Sequence, residues 1–253
     1  MDLGIDNKRA AVAASSAGLG LATAVALAAA GARVAICGRD PDRLASAASH
    51  LATTVPGADV IALEADVGSV PGAAAFVEDA AAELGGLDIV VPNAGGPPAS
   101  TFATTPMEAY RPALEANLLA TVSMCHASVP HLIDQGWGRI VAITSHSVRQ
   151  PVPGLILSNT ARAGVTGFLK TLATEIAPHG VTVNSVQPGM HATERLVSLH
   201  GGDTSSAAAG VPTRTIGRAE DFGAVVTFLC SDQARFITGA AVPVEGGAAQ
   251  GLQ

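Results

Sequence analysis

Short apolar runs alternate with longer alanine-rich stretches along this chain, and this alternation limits the possible folds more than any other feature. Short apolar runs bounded by glycine or polar residues predict strands, and the longer stretches predict helices. The predicted strands cover residues 10–14, 33–37, 60–63, 87–91, 139–143, 181–186 and 241–244, and the predicted helices cover 18–30, 42–53, 70–84, about 106–133, 155–177 and 219–231. Such alternation is typical of βαβ units. We therefore predict an α/β class, doubly wound Rossmann fold with a seven-stranded parallel sheet and helices on both faces.

The domain organisation follows from length and composition. The chain has 253 residues, of which 48% are hydrophobic and 14% are charged, so it has enough apolar surface to bury a core. No linker rich in proline, serine or charge divides it, and we predict a single domain over residues 1–253. The segment from about 190 to 215 breaks the pattern with Gly201, Gly202 and Pro212. This segment is predicted to be a mobile loop or short helical lid that contacts substrate.

Charge and cysteine usage exclude several functions. A net charge of −7 offers no basic surface for a nucleic acid, and no apolar run approaches the roughly 20 residues of a membrane span. The first nine residues lack a signal-peptide pattern, so we expect a cytoplasmic protein with neither nucleic-acid nor membrane partners. Cys37, Cys125 and Cys230 lie far apart and are predicted to be buried thiols. The cysteine and histidine spacing predicts no metal site.

A glycine-rich turn follows the first predicted strand, with the sequence Ala-Ser-Ser-Ala-Gly-Leu-Gly over residues 14–20. Gly18 and Gly20 allow a pyrophosphate to approach the backbone, and the helix that begins there offers free N–H groups. Two glycines at a strand-to-helix turn are also explained by close packing alone. The turn is therefore a candidate phosphate site that needs support from the rest of the chain.

That support comes from a resemblance to the short-chain dehydrogenase/reductase family, which covers nearly the whole chain. The family's loop reads Gly-x-x-x-Gly-x-Gly, so Ala14 replaces its first glycine; an alanine is harmless there at negative φ and strained in a left-handed conformation. Further matches occur in family order after successive strands. The resemblance implies cofactor contacts at Ala14, Ser15, Ser16, Gly18, Leu19, Gly20, Asp66, Val67, Asn93, Ala94, Gly95, Arg162, Pro188, Gly189, His191 and Thr193.

The resemblance also bears on assembly. Residues 239–247 resemble the family's final strand and turn, which in many members lie in a subunit interface. A homo-oligomer, either a tetramer or a dimer, is implied.

The choice of nucleotide depends on the end of the second strand, where an acid would bind a ribose 2′-hydroxyl and a cation would bind a 2′-phosphate. This chain has Cys37-Gly38-Arg39 at that point. An arginine fork without a carboxylate favours NADP(H), with NAD(H) possible. The alternative is that Arg39 only pairs with Asp40 or Asp42 at the surface.

The family's catalytic pattern is incomplete in this chain. Its reductases carry a serine after the fifth strand, a tyrosine thirteen residues later as general acid, and a lysine four residues beyond. Ser145 matches the serine, but the other two positions hold Ser158 and Arg162. A serine hydroxyl is shorter and less acidic than a phenol, and an arginine stays protonated. With Asn117 of the long helix, these residues form the candidate catalytic set: Asn117, Ser145, Ser158 and Arg162.

Two histidines are candidates for the missing acid. His146 follows Ser145 and His191 follows Pro188-Gly189, and histidine titrates near neutral pH. Alternation along an extended segment should turn His146 away from Ser145, and ordinary structural roles remain the alternative for both.

The leading hypothesis is an atypical NADP(H)-dependent oxidoreductase acting on a small-molecule carbonyl or alcohol, in which Ser145 orients the substrate oxygen. Two alternatives remain open. One is a cyclase, dehydratase or isomerase without net redox turnover, and the other is a non-catalytic nucleotide-binding protein.

Overall fold

A computed structural model describes residues 2–199 and 205–251. The described residues form one sheet of seven parallel strands in the order β3-β2-β1-β4-β5-β6-β7. The strands are β1 (Arg9–Val12), β2 (Arg33–Gly38), β3 (Val60–Glu64), β4 (Ile89–Val91), β5 (Gly138–Ile143), β6 (Val181–Pro188) and β7 (Ala241–Val244). The predicted fold class is confirmed, because the strand order reverses at β1 and helices pack on both faces of the sheet.

Helices follow the strands as the alternation predicted. They are α1 (Gly18–Ala29), α2 (Pro41–Thr54), α3 (Val70–Leu84), α4 (Tyr110–Leu114), α5 (Ala120–Asp134), α6 (Ile156–Ile176), α7 (Glu194–Leu199), α8 (Ser205–Ala209) and α9 (Ala219–Leu229). The long helical region predicted from about 106 to 133 is divided into α4 and α5 by a π-helical turn, Glu115–Leu119, which no sequence pattern indicated.

The core lies on both faces of the sheet because successive strand side chains point to opposite sides. In β1, Ala10 and Val12 pack in a cluster with residues of α1, α2 and α9. Ala11, between them, packs on the other face with residues of α3 and α5. This burial on both faces explains why the strands are apolar throughout rather than alternating in polarity.

The end of the first strand differs from the sequence prediction. β1 ends at Val12 rather than at residue 14, because Ala14 takes a left-handed conformation with φ of +46°. The segment predicted as a mobile loop or a short helical lid contains the short helices α7 and α8, and Leu196 and Val211 within it are buried. Gly201 and Gly202 of that segment lie outside the described residues. The three cysteines are free and buried, as predicted.

None of the helices among the described residues combines the length and the apolar character needed to cross a membrane.

Candidate functional site

A cleft runs along the carboxyl ends of the strands, where the strand order reverses at β1. In open α/β sheets this reversal creates the crevice in which ligands bind. Two adjoining cavities of about 600 Å³ and about 750 Å³ occupy it. Both are lined by Ala14, Ala17, Ala99 and residues 94–96, so these residues separate a first cavity, containing Ser145, from a second cavity, containing Arg39.

The N-terminus of α1 lies at the floor of this cleft, and neither a capping side chain nor an acid of the first turn neutralises the positive end of its dipole. Its N-cap, Ala17, makes no side-chain cap, and the first turn contains no acid. In contrast, Asp40 caps α2 and Ser69 caps α3. Free N–H groups and the positive end of the helix dipole therefore point into the cleft, as an anion site requires.

The two glycines of the turn stand where a side chain would clash or where the backbone is left-handed. A Cβ atom on Gly20 would lie 2.5 Å from the Ala14 carbonyl oxygen and 3.0 Å from Asn93 Nδ2, so only glycine fits. Gly18 has a φ of +58°. Ala14 has a φ of +46°, so the second of the two conformations considered for it, the strained one, is observed. A left-handed backbone costs an alanine about 1–2 kcal/mol.

Buried polar contacts fix the turn around Ser15. Its hydroxyl donates to Val12 O at 2.6 Å and accepts from Cys37 N at 2.9 Å, while its own N–H donates to Cys37 O. The Ser15 side chain therefore has no free donor, and it fixes the shape of the turn. The cofactor contact implied for Ser15 stays a prediction. Asn93 Nδ2 lies 3.2 Å from Ala13 O and 3.3 Å from Ala14 O, and holds the same turn.

The other residues of the turn face the cleft on its two sides. Leu19 lines the first cavity and Ser16 lines the second.

The second cavity carries the residues predicted to select the nucleotide. Arg39 is exposed, and its Nε lies 3.9 Å from Asp66 Oδ1. The alternative surface pairing with Asp40 or Asp42 is not found among the described residues, where the ion-pair partner of Arg39 is Asp66. Asp40 accepts from two backbone N–H groups at the start of α2. Val67 follows Asp66 on the cavity wall and is buried. A solvated guanidinium with one distant carboxylate is free to turn toward a phosphate.

Ser145, at the end of β5, lines the first cavity together with Ser158 of α6. The Ser145 hydroxyl oxygen accepts a hydrogen bond of 3.1 Å from the Ser147 N–H. That contact orients the oxygen and leaves the hydroxyl proton available for donation to a ligand. Ser158 is buried, as expected for a small residue where the family has a large ring.

Arg162 is a buried cation held by uncharged acceptors. Its Nη1 donates to Ile143 O at 3.1 Å, and its Nη2 lies 3.1 Å from Asn117 Oδ1 and 3.5 Å from Ala94 O. Burial, together with the nearby charge of Arg195, lowers the pKa of Arg162 to about 10, so it stays charged at neutral pH. No carboxylate among the described residues lies within 4 Å of it.

The π-helical turn explains how Asn117 reaches this site. Asn117 is buried within Glu115–Leu119, and its amide oxygen accepts from Arg162. The wider turn adds one residue to the local repeat and rotates the side chains that follow, a device frequent at functional sites. The sequence placed Asn117 in the catalytic set only by resemblance.

The two candidate histidines have different surroundings. His146 lines the first cavity, half-buried, and its Nδ1 lies 3.1 Å from Pro188 O. His191 also lines the cavity, but it is buried with its ring edge against Phe222, and burial lowers its pKa. A Cβ on Gly217 would lie 2.8 Å from His191 Nε2, so that nitrogen faces the backbone of Gly217. His146 is therefore the better placed of the two to exchange a proton.

The loop after β6 closes one wall of the first cavity. Thr193 accepts the Leu196 N–H at 3.3 Å, and its methyl group lies 3.6 Å from the Cβ position of Gly18. Gly189 packs against Glu245, where a Cβ would lie only 2.6 Å away. Pro188 and Gly189 line the cavity beside them, so this loop faces the start of α1 across the cleft.

The sequence analysis missed one residue of the first cavity. Arg195 of α7 lines this cavity, and no sequence pattern predicted that it would lie there. Tyr110 is the sole tyrosine of the chain, and it lies in α4, outside the lining of either cavity. No phenol is therefore available to the site as a proton donor.

Comparison with known proteins agrees with this geometry. A family model described as enoyl-(acyl carrier protein) reductase matches residues 13–249. The chain is 32% identical over 247 residues to a 3-oxoacyl-[acyl-carrier-protein] reductase of Aquifex aeolicus, covering 98% of this chain and 99% of the relative.

Two solved structures show the same likeness. The L-sorbose reductase of Gluconobacter frateurii, complexed with NADPH and L-sorbose, is 32% identical and matches all of both chains with a TM-score of 0.92. An NADPH-bound short chain oxidoreductase of Pseudomonas aeruginosa, described as containing an atypical catalytic center, is 32% identical with a TM-score of 0.89 and covers 96% of this chain and 97% of its own. The protein studied here therefore belongs to the short-chain dehydrogenase/reductase family of oxidoreductases.

Proposed function

We propose that this protein is an NADP(H)-dependent oxidoreductase that interconverts a small carbonyl compound and its alcohol. The observation that carries the proposal is the continuous cleft from the uncapped start of α1 to Ser145, with a cation at each end, Arg39 and Arg162. The NADPH complexes of the sorbose reductase and of the Pseudomonas oxidoreductase support the choice of nucleotide.

The residues present fit this cofactor. The free N–H groups of α1 suit its pyrophosphate, and Gly20 keeps the backbone bare there. Arg39 suits the 2′-phosphate, and Arg162 suits the hydroxyls of the nicotinamide ribose. When bound, NADPH supplies a hydride to the carbonyl carbon, and the carbonyl oxygen takes one proton to give the alcohol and NADP⁺.

The chain's own groups polarise and protonate the carbonyl oxygen. Ser145 donates its free hydroxyl proton in a hydrogen bond to that oxygen, and the Ser147 N–H holds Ser145 in place. His146 supplies the proton, directly or through water. Because Pro188 O can only accept, His146 Nδ1 carries a hydrogen, which leaves Nε2 to take up and release the catalytic proton.

Fluorescence titration with NADPH, followed by turnover assays with NADPH deuterated on either face of the nicotinamide, tests the proposal. We expect micromolar or tighter binding and transfer of the label from one face to the carbinol carbon of a product. Conversion of substrate without label transfer would instead indicate a cyclase, dehydratase or isomerase, and binding without conversion would indicate a nucleotide-binding protein. Either result, or no NADPH binding, contradicts the proposal.

A matched pair of glycine variants locates the nucleotide in this experiment. Gly20→Ala places a methyl group against Ala14 O and should abolish NADPH binding. Gly167→Ala, in α6, meets no atom within 4 Å and should bind NADPH as the wild type does. Equal affinities for the two variants would place the nucleotide elsewhere.

A homo-oligomer stays a prediction. The fully exposed ring of Phe236 and the 40% exposed Phe228, which precede the final strand in the sequence, favour a surface that is covered by a second copy of the chain.

A further inference from the structure

Arg195 is the cation of the first cavity that the proposed function does not use. It lies near the start of α7, and its Nη2 donates to Pro97 O at 2.6 Å. A Cβ on Gly96 would lie 3.1 Å from the same nitrogen, so the guanidinium rests on the backbone of residues 96–97. Gly96 and Arg195 both line the cavity.

The charge of Arg195 is not neutralised within the described part of the chain. No carboxylate there lies within 4 Å of it. Glu194 is the one acid among the described residues lining the first cavity, and it pairs with Arg43 at 2.6 Å. Arg195 is exposed on one side, and the partial burial of its guanidinium lowers its pKa. One hydrogen bond leaves most of its five N–H donors for a ligand.

A second cation lies close by on the same backbone stretch. Arg162 contacts Ala94 O, and Arg195 contacts Pro97 O, three residues further on. Three Cα-to-Cα steps span at most about 11 Å. The two guanidinium groups are close enough for Arg195 to lower the pKa of Arg162. Two cations without an intervening acid give this end of the cleft a positive potential.

We propose that the substrate carries a carboxylate and that Arg195 binds it through its guanidinium fork. This proposal rests on the proposed function, because it names the substrate class for the same cavity. A guanidinium matches the planar geometry of a carboxylate with two parallel hydrogen bonds. Val152, Leu155 and Leu199 give the cavity an apolar wall, which suits a short carbon chain between carboxylate and carbonyl.

The position of Arg195 separates it from the expected site of the 2′-phosphate. That phosphate is expected at Arg39 in the second cavity, whereas Arg195 lines only the first cavity, beside the backbone that also meets Arg162. Gly18 and Gly20, where the pyrophosphate is expected, line the first cavity as well. Binding of the pyrophosphate by Arg195 is therefore an outcome that the experiment must detect.

Paired oxo acids and esters test this proposal. Levulinate is compared with methyl levulinate, and acetoacetate with methyl acetoacetate, by calorimetry on the NADP⁺-loaded protein and by KM in the reductase assay. The wild type should prefer each acid at least tenfold. Arg195→Gln should lower this preference to about one, Arg195→Lys should retain part of it because it keeps the charge, and Arg218→Gln, an exposed arginine at α9, should match the wild type.

Separate readouts keep this proposal distinct from the proposed function. NADPH affinity should change less than twofold in Arg195→Gln; a loss equal to the loss in acid binding would assign Arg195 to a nucleotide phosphate and overturn the proposal. No acid preference in the wild type, or one that survives Arg195→Gln, would also overturn it. If the protein binds no NADPH, the proposed function fails, and the same acids and esters titrated into the nucleotide-free protein still decide the role of Arg195.

Discussion

The two halves of the cleft keep their family likeness to different degrees. The nucleotide half retains Gly18, Gly20 and the open start of α1, and its one departure is Ala14. The chemical half retains Ser145 but holds Ser158 and Arg162 in place of a tyrosine and a lysine. The difference teaches that nucleotide binding depends on backbone shape, which the methyl group of Ala14 strains by only about 1–2 kcal/mol. Proton transfer depends on one functional group at one point, so its replacement requires a new donor.

Arg162 shows how far the chemical half has been rebuilt. A lysine would present one compact charge, whereas Arg162 spreads its hydrogen bonds over Ile143 O, Ala94 O and Asn117. These contacts join β5, the loop after β4 and the π-helical turn. The guanidinium therefore braces the floor of the cavity, a role in which lysine and arginine are not interchangeable.

The largest expected effect is a loss of turnover in a variant of the chemical half that still binds the nucleotide. Ser145→Ala removes the hydroxyl that meets the carbonyl oxygen, and turnover should fall by about 10²- to 10³-fold, the usual loss for one preorganised donor. NADPH affinity should stay within twofold of the wild type. Steady-state kinetics and a fluorescence titration measure the two quantities.

Ser147→Ala is the matched control for this variant. Its hydroxyl is buried and makes no hydrogen bond to any residue that the structure describes, while its backbone N–H, which orients Ser145, is kept. The variant should turn over at nearly the wild-type rate. Near-normal turnover of Ser145→Ala itself would show that the catalytic centre is misplaced.

The second prediction concerns the group that replaces the tyrosine. His146→Gln should slow reduction by about 10²-fold, at the lower end for a lost general acid. His126→Gln, an exposed histidine of α5, provides the control and should turn over as the wild type does. Steady-state kinetics of the two variants check the prediction, and wild-type turnover in His146→Gln would assign the proton to another group.

The third prediction sharpens the description of the nucleotide half. Arg39→Asp should weaken NADPH binding by about 10- to 100-fold while NADH binding changes little, because a charge-assisted contact to the 2′-phosphate is lost. Arg235→Asp makes the same charge change at an exposed position and should affect neither nucleotide. Equal losses for NADPH and NADH would show that Arg39 does not read the 2′-phosphate.

The sequence predicted the strands well because burial on both faces makes each one a short apolar run. It missed the end of β1 and the π-helical turn, since neither the left-handed backbone of Ala14 nor the extra residue near Asn117 changes the hydrophobic pattern. Tertiary contacts decide both. At Ala14, Gly20 packs against its carbonyl and Asn93 holds the same group.

The candidate site was predictable where a residue follows a strand. Ser145, Asn93 and Arg39 all do, and the carboxyl ends of parallel strands share one edge of the sheet. The place of Arg195 in the site was not predictable from the sequence, because it depends on how α7 packs over the loop at Gly96 rather than on any strand.

The smallest expected effect concerns the departure within the nucleotide half. Ala14→Gly relieves a left-handed conformation worth about 1–2 kcal/mol, while the added freedom of glycine in the unfolded chain offsets part of this gain. The free energy of unfolding should rise by roughly 0.5–1 kcal/mol in urea titration, with NADPH affinity undiminished. Asn7→Gly, at another residue with positive φ, should gain less because asparagine tolerates this conformation. A loss of stability in Ala14→Gly would mean that the Ala14 methyl group contributes packing worth more than its strain, and the two halves of the cleft would then both depend on specific side chains.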